Sequence, residues 1–190
     1  MNADVSSSLD NFLNGFDGAE ADERFPNARH FYTGSLFVCH AGKDFLRIFN
    51  LIATPVLTDR YGDGYFLHNR GSGGSQAYKI LVRAALHWCN SFIVVLTRNT
   101  ECHAWVRAEL NWLLRHRPRI FFCQFDDVRY ELIHPDVSAL VVDGDSDALS
   151  FFDFRTDPAA AQARLGVAID AVLKIQPYPR FPEGPPGTRS

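Results

Sequence analysis

A chain of 190 residues, 46% of them apolar, can bury one substantial core and falls within the usual size of a single domain, so two separately folded units are not expected. The formal charge of −3 comes from closely matched acids and bases, and the absence of a Lys/Arg block argues against nucleic acid as a principal partner. The four cysteines, Cys39, Cys89, Cys102 and Cys123, are widely spaced, and three sit in or beside apolar runs where free cysteine behaves as a small hydrophobe, which fits a reducing compartment.

Residues Met1 to Glu23 are polar and acidic, without the basic start and apolar stretch of a secretory signal. No later segment is long enough to cross a bilayer, so a cytoplasmic, reducing location and no membrane partner are expected. The first 30 residues are rich in Ser, Asp, Asn and Gly, with scattered apolar positions such as Phe12, Leu13 and Phe16. They read as a polar N-terminal arm, either mobile or docked as a short helix. The folded unit is expected over residues 31–175, followed at 176–190 by a tail whose five prolines favour extended chain outside the fold.

Within that unit, Leu36-Phe37-Val38-Cys39 is a short run of the fully buried strand type. Phe45, Leu46, Phe49 and Ile52 then recur at helical spacing, and Pro55 is expected to stop that helix. Tyr65-Phe66-Leu67 is a second strand candidate. A glycine-rich loop leads to a helix marked by Ile80, Leu81, Ala84, Ala85 and Trp88, and Phe92-Ile93-Val94-Val95-Leu96 is the clearest strand. Val106, Leu110, Leu113 and Leu114 mark a third helix, ended by Pro118, before a strand at Ile120-Phe121-Phe122-Cys123. Either Leu140-Val141-Val142 or Phe151-Phe152 supplies a fifth strand. The last helix opens with Asp157 as N-cap and Pro158 at its first position, and continues through Leu165, Ile169, Val172 and Leu173.

Strands apolar on both faces and separated by helices predict a three-layer α/β fold around a mostly parallel five-stranded sheet, because parallel strands need crossovers that cover both faces. Ligands in such folds gather at the carboxyl ends of strands, which directs attention to the loops His40 to Asp44, His68 to Gln76 and Thr97 to His103. On the helix from about His103 to Arg115, Trp105, Glu109 and Trp112 fall at i, i+4 and i+7 and share one stripe. Spacing leaves two readings open for Glu109. It is a carboxylate bracketed by two indoles and suited to a sugar cation, or a boundary residue paired with Arg107 or Arg115. No Cys-x-x-Cys or His-Glu-x-x-His suggests a metal, and no Gly-x-Ser-x-Gly elbow suggests a serine hydrolase.

Two segments carry a resemblance. Gly34-Ser35-Leu36-Phe37-Val38-Cys39-His40-Ala41-Gly42-Lys43-Asp44 resembles the opening strand and polar turn of the TIR (Toll/interleukin-1 receptor) family, with Cys39 in place of the usual Ser. Glu101-Cys102-His103-Ala104-Trp105-Val106-Arg107-Ala108-Glu109-Leu110 is similar to the family's catalytic helix, in the Cys-x-x-Trp-Val-x-x-Glu form of an animal TIR NADase, and follows the expected apolar strand. These matches order the region from Gly34 to about Asp126, roughly half the chain.

The resemblance implies a flavodoxin-like TIR fold and cleavage of the nicotinamide glycosidic bond of NAD. The product would be ADP-ribose or a cyclic isomer, with Glu109 beside the nicotinamide-side ribose and no cofactor or metal. His40, Ala41 and Gly42 would face the substrate pocket, the last two through backbone groups, and Trp105 would pack near the sugar or nicotinamide, although a place in the core is also open to it. Trp112 and His103 are expected in the core and at the surface respectively. Arg70, in a loop that corresponds in order to the family's BB loop, offers a planar fork for pyrophosphate, while the glycines around it are equally those of a plain flexible loop.

The standalone format resembles prokaryotic immune TIR proteins of the Thoeris type. That likeness implies antiviral signalling, self-association through TIR–TIR contacts, and a downstream effector that senses the product. Two alternatives stand beside this one: a non-enzymatic TIR scaffold, and an enzyme resembling nucleoside deoxyribosyltransferases.

Overall fold

The computed structural model describes residues 2–33, 35–58, 65–67, 76–116, 119–137 and 149–173. The glycine-rich loop with Arg70, the Leu140-Val141-Val142 run and the proline-rich tail lie outside these described residues. Three N-terminal helices come first: α1 (Asn2–Asn14), α2 (Gly18–Arg24) and α3 (Ala28–Tyr32). There follow β1 (Leu36–Cys39), a 3₁₀ turn (Gly42–Asp44), α4 (Phe45–Ile48, continuing in wide π turns over Phe49–Thr58), β2 (Tyr65–Phe66) and α5 (Gln76–Trp88). The remainder is β3 (Ser91–Leu96), α6 (Ala104–His116), β4 (Arg119–Gln124), the short α7 (Tyr130–Ile133), β5 (Leu149–Asp153) and α8 (Pro158–Leu173).

The strands form one all-parallel sheet in the order β2-β1-β3-β4-β5, the doubly wound, flavodoxin-like arrangement. Leu36 pairs with Ser91, Phe92 with Ile120, and Phe122 with Phe151, so the apolar runs lie side by side. The fifth strand contains Phe151-Phe152, one of the two runs expected to supply it.

Alternation along each strand divides the core. Phe37, Cys39, Phe92, Val94, Leu96, Ile120 and Phe122 join the apolar side chains of α5 and α6 on one face. Leu36, Val38, Ile93, Val95, Phe121 and Cys123 meet α4 and α8 on the other. Buried Phe and Leu side chains each contribute about 1.5–3 kcal/mol of hydrophobic stabilisation, which is why the two faces must both be covered. Burial also drives the Cys89 and Cys123 thiols far above their ordinary pKa, so both remain protonated.

Pro55 does not stop the helix after β1; it lies inside it. Wide turns ease the clash between the proline ring and the preceding turn. The carbonyl of Leu51 accepts from the Gln162 side-chain amide at 2.9 Å, which ties this irregular segment to α8. Asp157 caps α8 as its sequence indicates, accepting from the Ala160 amide at 3.0 Å with Pro158 at the first helical position.

The three N-terminal helices are docked on α5 and α6. Leu13 and Ala21 are fully buried, and Phe16 stacks on His87 with ring centroids 4.4 Å apart. Arg83 of α5 binds the end of α1, donating to the carbonyls of Phe12 and Gly15 at 3.2 and 2.9 Å and to Glu20 at 3.1 Å. Those carbonyls belong to the last turn of a helix, where no intrahelical donor is available.

Two histidines hold this arrangement in their neutral form. His87 approaches the Leu13 carbonyl with Nε2 at 2.8 Å, and His134 approaches Asn111 Oδ1 at 2.7 Å. Burial depresses the His87 pKa; the Leu13 carbonyl opposes this and the nearby His116 and Arg83 reinforce it. Burial depresses that of His134 as well, with Asp136 and Asp10 opposing and Arg107 adding to the effect. A folded pKa below the unfolded one makes the stabilisation complete above the unfolded value and lost as pH falls through the folded value. The denaturant midpoint should therefore fall as pH drops below about 6.5. His87→Gln, which cannot charge, should flatten part of that fall, and an unchanged slope would remove His87 from this account.

Candidate functional site

The chain leaves β1 to build β2 on one side and returns to build β3 on the other. The carboxyl ends of β1 and β3 therefore flank the point where the winding reverses, the place where open α/β sheets form a crevice. The His40 to Asp44 and Thr97 to His103 loops meet there. Asp44 is buried and accepts from Thr97 Oγ1 at 2.6 Å and from Asn99 Nδ2 at 2.7 Å, which ties the two loops across the reversal. Thr100 closes the second loop on itself, accepting from the Thr97 amide at 2.9 Å and donating to the Thr97 carbonyl at 2.6 Å.

His40 is fully buried, and its Nδ1 lies 2.9 Å from the Ala41 carbonyl. A carbonyl can only accept, so Nδ1 carries the proton. The Ala41 carbonyl thus serves the histidine of its own loop, while Gly42 opens the 3₁₀ turn that delivers Asp44 to Thr97.

Glu109 sits in the middle of α6 and is 0% exposed. The helix places it there because α6 turns Val106, Leu110 and Leu113 into the core, and Glu109 lies beside that stripe at the level of the end of β1. Its Oε2 accepts from the Cys39 thiol at 2.8 Å, and its Oε1 accepts a short bond from the Trp105 indole N–H one turn earlier. A carboxylate removed from water is costly unless such donors replace the lost hydration.

Arg107, one of the two arginines considered as a partner of Glu109, donates to the Leu132 carbonyl at 2.7 Å. The second indole of that stripe is packed in the core. Trp112 stacks on His116 with centroids 4.0 Å apart and meets the ring of His87 at 4.8 Å, so it belongs to the core beside α5. Cys39, from a strand 70 residues away in sequence, supplies the second donor. Trp105 itself is partly buried, and Phe12 of α1 lies 6.1 Å from its ring. His103 stands at the start of α6, with its carbonyl accepting from Arg107 N at 3.0 Å and its Nδ1 facing the Val106 amide at 3.4 Å. Cys102 just before it has a left-handed backbone, φ 57°, and its amide donates to the Leu132 carbonyl at 3.0 Å.

The end of β4 completes the rim. Asp126 accepts from Arg47 at 2.8 Å and from the Arg98 amide at 3.1 Å. Burial raises its pKa, but these bonds and the positive charge of Arg47 and Arg98 outweigh it and hold the carboxyl below the usual range. Tyr130 donates to Gln124 at 2.6 Å, and Arg155 pairs with Asp127 and Asp153 on the outer side. Among the described residues no group of three or more His, Cys, Asp or Glu side chains could hold a metal ion, and no helix is long and apolar enough to cross a membrane.

Of the residues singled out in the sequence, the fold gathers His40, Ala41, Gly42, Trp105 and Glu109 around the ends of β1 and β3, while Arg70 lies outside the described residues. The roles of Cys39 as donor to the carboxylate and of Asp44, Thr97 and Asn99 as the link between loops are not apparent from spacing. The polar turn ending in Asp44 was the available signal, but its partners lie 53 and 55 residues away. Comparison with known proteins adds no relative: no family model matches the chain, no curated protein matches it, and no solved structure matches it.

Because Asp44 serves two loop donors from a buried position, Asp44→Ala should destabilise the protein by about 2 kcal/mol, the cost of leaving buried donors unpartnered. Denaturant unfolding measures this. A change near zero would mean the loops are held together by packing alone.

Proposed function

We propose that the protein is a TIR-type NAD glycohydrolase or cyclase in which Glu109 is the catalytic carboxylate. The observation that carries this reading is the meeting of Trp105 and Glu109 of α6 with Cys39 at the end of β1, beside the winding reversal of a parallel sheet. The residues that motivate the TIR resemblance are the ones that come together. Their position is where α/β folds of this kind take ligands.

In this reading, the bond between C1′ of the nicotinamide-side ribose and the nicotinamide nitrogen breaks, and its electron pair leaves with nicotinamide. Positive charge develops on the ribose, and Glu109 lies against it, as a carboxylate does in glycoside hydrolysis. Water then bonds to C1′ and releases a proton, giving ADP-ribose. Attack by an adenine nitrogen instead gives a cyclic isomer. The buried His40, with its proton on Nδ1, borders the same strand end, and the backbone of Ala41 and Gly42 forms the turn beside it. A carboxylate in a water-poor setting interacts more strongly with such a cation than one in solvent.

One observation favours a second reading. The Glu109 side chain is fully enclosed, and its two oxygens are engaged by Trp105 and Cys39, which is also what a purely structural carboxylate would do in a TIR scaffold acting through association.

Incubation of concentrated protein with NAD separates the two. Release of nicotinamide is expected, and Glu109→Gln, which preserves shape and the capacity to accept from Trp105, should lower turnover by about a hundredfold or more, as loss of a charged group facing a transition state does. Mass analysis of the product distinguishes ADP-ribose from a cyclic isomer. Absence of nicotinamide at every protein concentration would favour the scaffold.

A further inference from the structure

We propose that helix α1 is a built-in cap that holds Trp105 against the Glu109 carboxylate, and that release of α1 opens this carboxylate to substrate. The inference rests on the NAD-cleaving reading for the identity of that substrate, but the capping itself is a property of the chain and can be measured without it.

The geometry is a stack of three groups. Phe12 of α1 faces Trp105, the Trp105 indole donates to Glu109, and Glu109 accepts from Cys39 at the end of β1. Glu109 and Cys39 are both 0% exposed, whereas Trp105 is only partly buried. Trp105 is the partly exposed member of the stack, so turning it away would uncover the carboxylate, and the Phe12 ring lies 6.1 Å from that indole. Nothing else in the proposed chemistry needs α1 in this place.

The attachment of α1 has the character of a latch. Among its described side chains, Leu13 alone is fully buried, while Leu9 and Phe12 are partly buried. Polar contacts gather toward its carboxyl end, from Asp10 to Gly15. Arg83 reaches the carbonyls of Phe12 and Gly15 and lies over the Phe12 ring at 4.5 Å, His87 approaches the Leu13 carbonyl, and Asn111 of α6 donates to the Asp10 carboxylate at 3.1 and 3.2 Å. A 13-residue helix rich in Ser, Asp and Asn is marginal by itself, so it exists here because it is docked. Terminal segments open with lower free energy than core strands, so α1, which packs on α6 from outside the sheet, can leave while the sheet stays intact.

The test uses the full chain and two readouts. The first is alkylation of individual cysteines by iodoacetamide, followed by peptide mass analysis. Cys102 is exposed and reports the reagent, Cys89 and Cys123 are buried in the core and report global unfolding, and Cys39 reports the capped site. The second readout is nicotinamide release from NAD. In the double variant Asp10→Ala/Phe12→Ala, alkylation of Cys39 should rise by about tenfold relative to Cys89 and Cys123, the shift expected when a two-state docking equilibrium loses a partly buried aromatic and a polar contact. Turnover of NAD should rise in parallel.

If Cys39 labelling and turnover both stay at wild-type levels in the folded double variant, α1 is not a cap. If labelling of Cys39 rises but NAD is untouched by either protein, the capping stands and the NAD-cleaving reading fails. Should the double variant also label at Cys89 and Cys123, Asp10→Ala alone, which leaves every apolar contact in place, must still raise Cys39 labelling selectively. Failure of that single variant to do so overturns the proposal.

Discussion

A carboxylate inside an apolar core is tolerated only where donors replace the water it has lost, and in this protein the donors come from two different layers of the fold. Trp105 reaches Glu109 along its own helix, and Cys39 reaches it from the central strand. The side-chain contact across the layers depends on α6 lying at one height and one rotation against β1. That placement follows from α6 presenting Val106, Leu110 and Leu113 to a strand face made of Phe37, Phe92 and Phe122. The chemistry of the site is thus bound to the packing of the sheet, and neither can be altered alone.

The same constraint explains the surrounding loops. A parallel sheet that reverses its winding between β1 and β3 leaves two loops side by side with unsatisfied backbone and side-chain groups. Asp44, Thr97, Asn99 and Thr100 satisfy one another there, and Asp126 performs a similar service for Arg47 and the Arg98 amide one strand further on. The carboxyl edge of the sheet is consequently a connected polar rim resting on an apolar floor. The enclosed Glu109 sits just within that rim, on the side of the sheet where the N-terminal helices dock. They extend the core beyond α5 and α6 and bring an aromatic side chain up to Trp105.

Several elements were legible in the chain before any coordinates. The run Leu36 to Cys39 became β1 without a change of boundary, the apolar runs around Phe92 and Ile120 became β3 and β4, and the Asp157-Pro158 start of α8 carries the expected cap. These signals are local: period two against 3.6, a side-chain acceptor before a helix, a proline at its first position. Pro55 misled because the rule it triggers concerns a regular α-helix, and here the segment runs in wide π turns tied to α8 through Gln162. The N-terminal residues gave little warning of docking, since their composition is polar and the groups that bind them, Arg83, His87 and Asn111, lie 68 to 101 residues further along.

The sequence alone determined the strand and helix pattern, the parallel three-layer class, and the stripe on α6 that carries Trp105 and Glu109, because each depends on residues within a turn or two of one another. Only the tertiary structure decided that Cys39 donates to Glu109, that Trp112 turns to His116 and His87, and that Phe12 of α1 comes up to Trp105. Those outcomes depend on strand order, on the rotation of α6 against the sheet and on contacts between segments far apart in the chain. Neither periodicity nor spacing encodes such relations, since they arise from the simultaneous burial of both faces of the sheet.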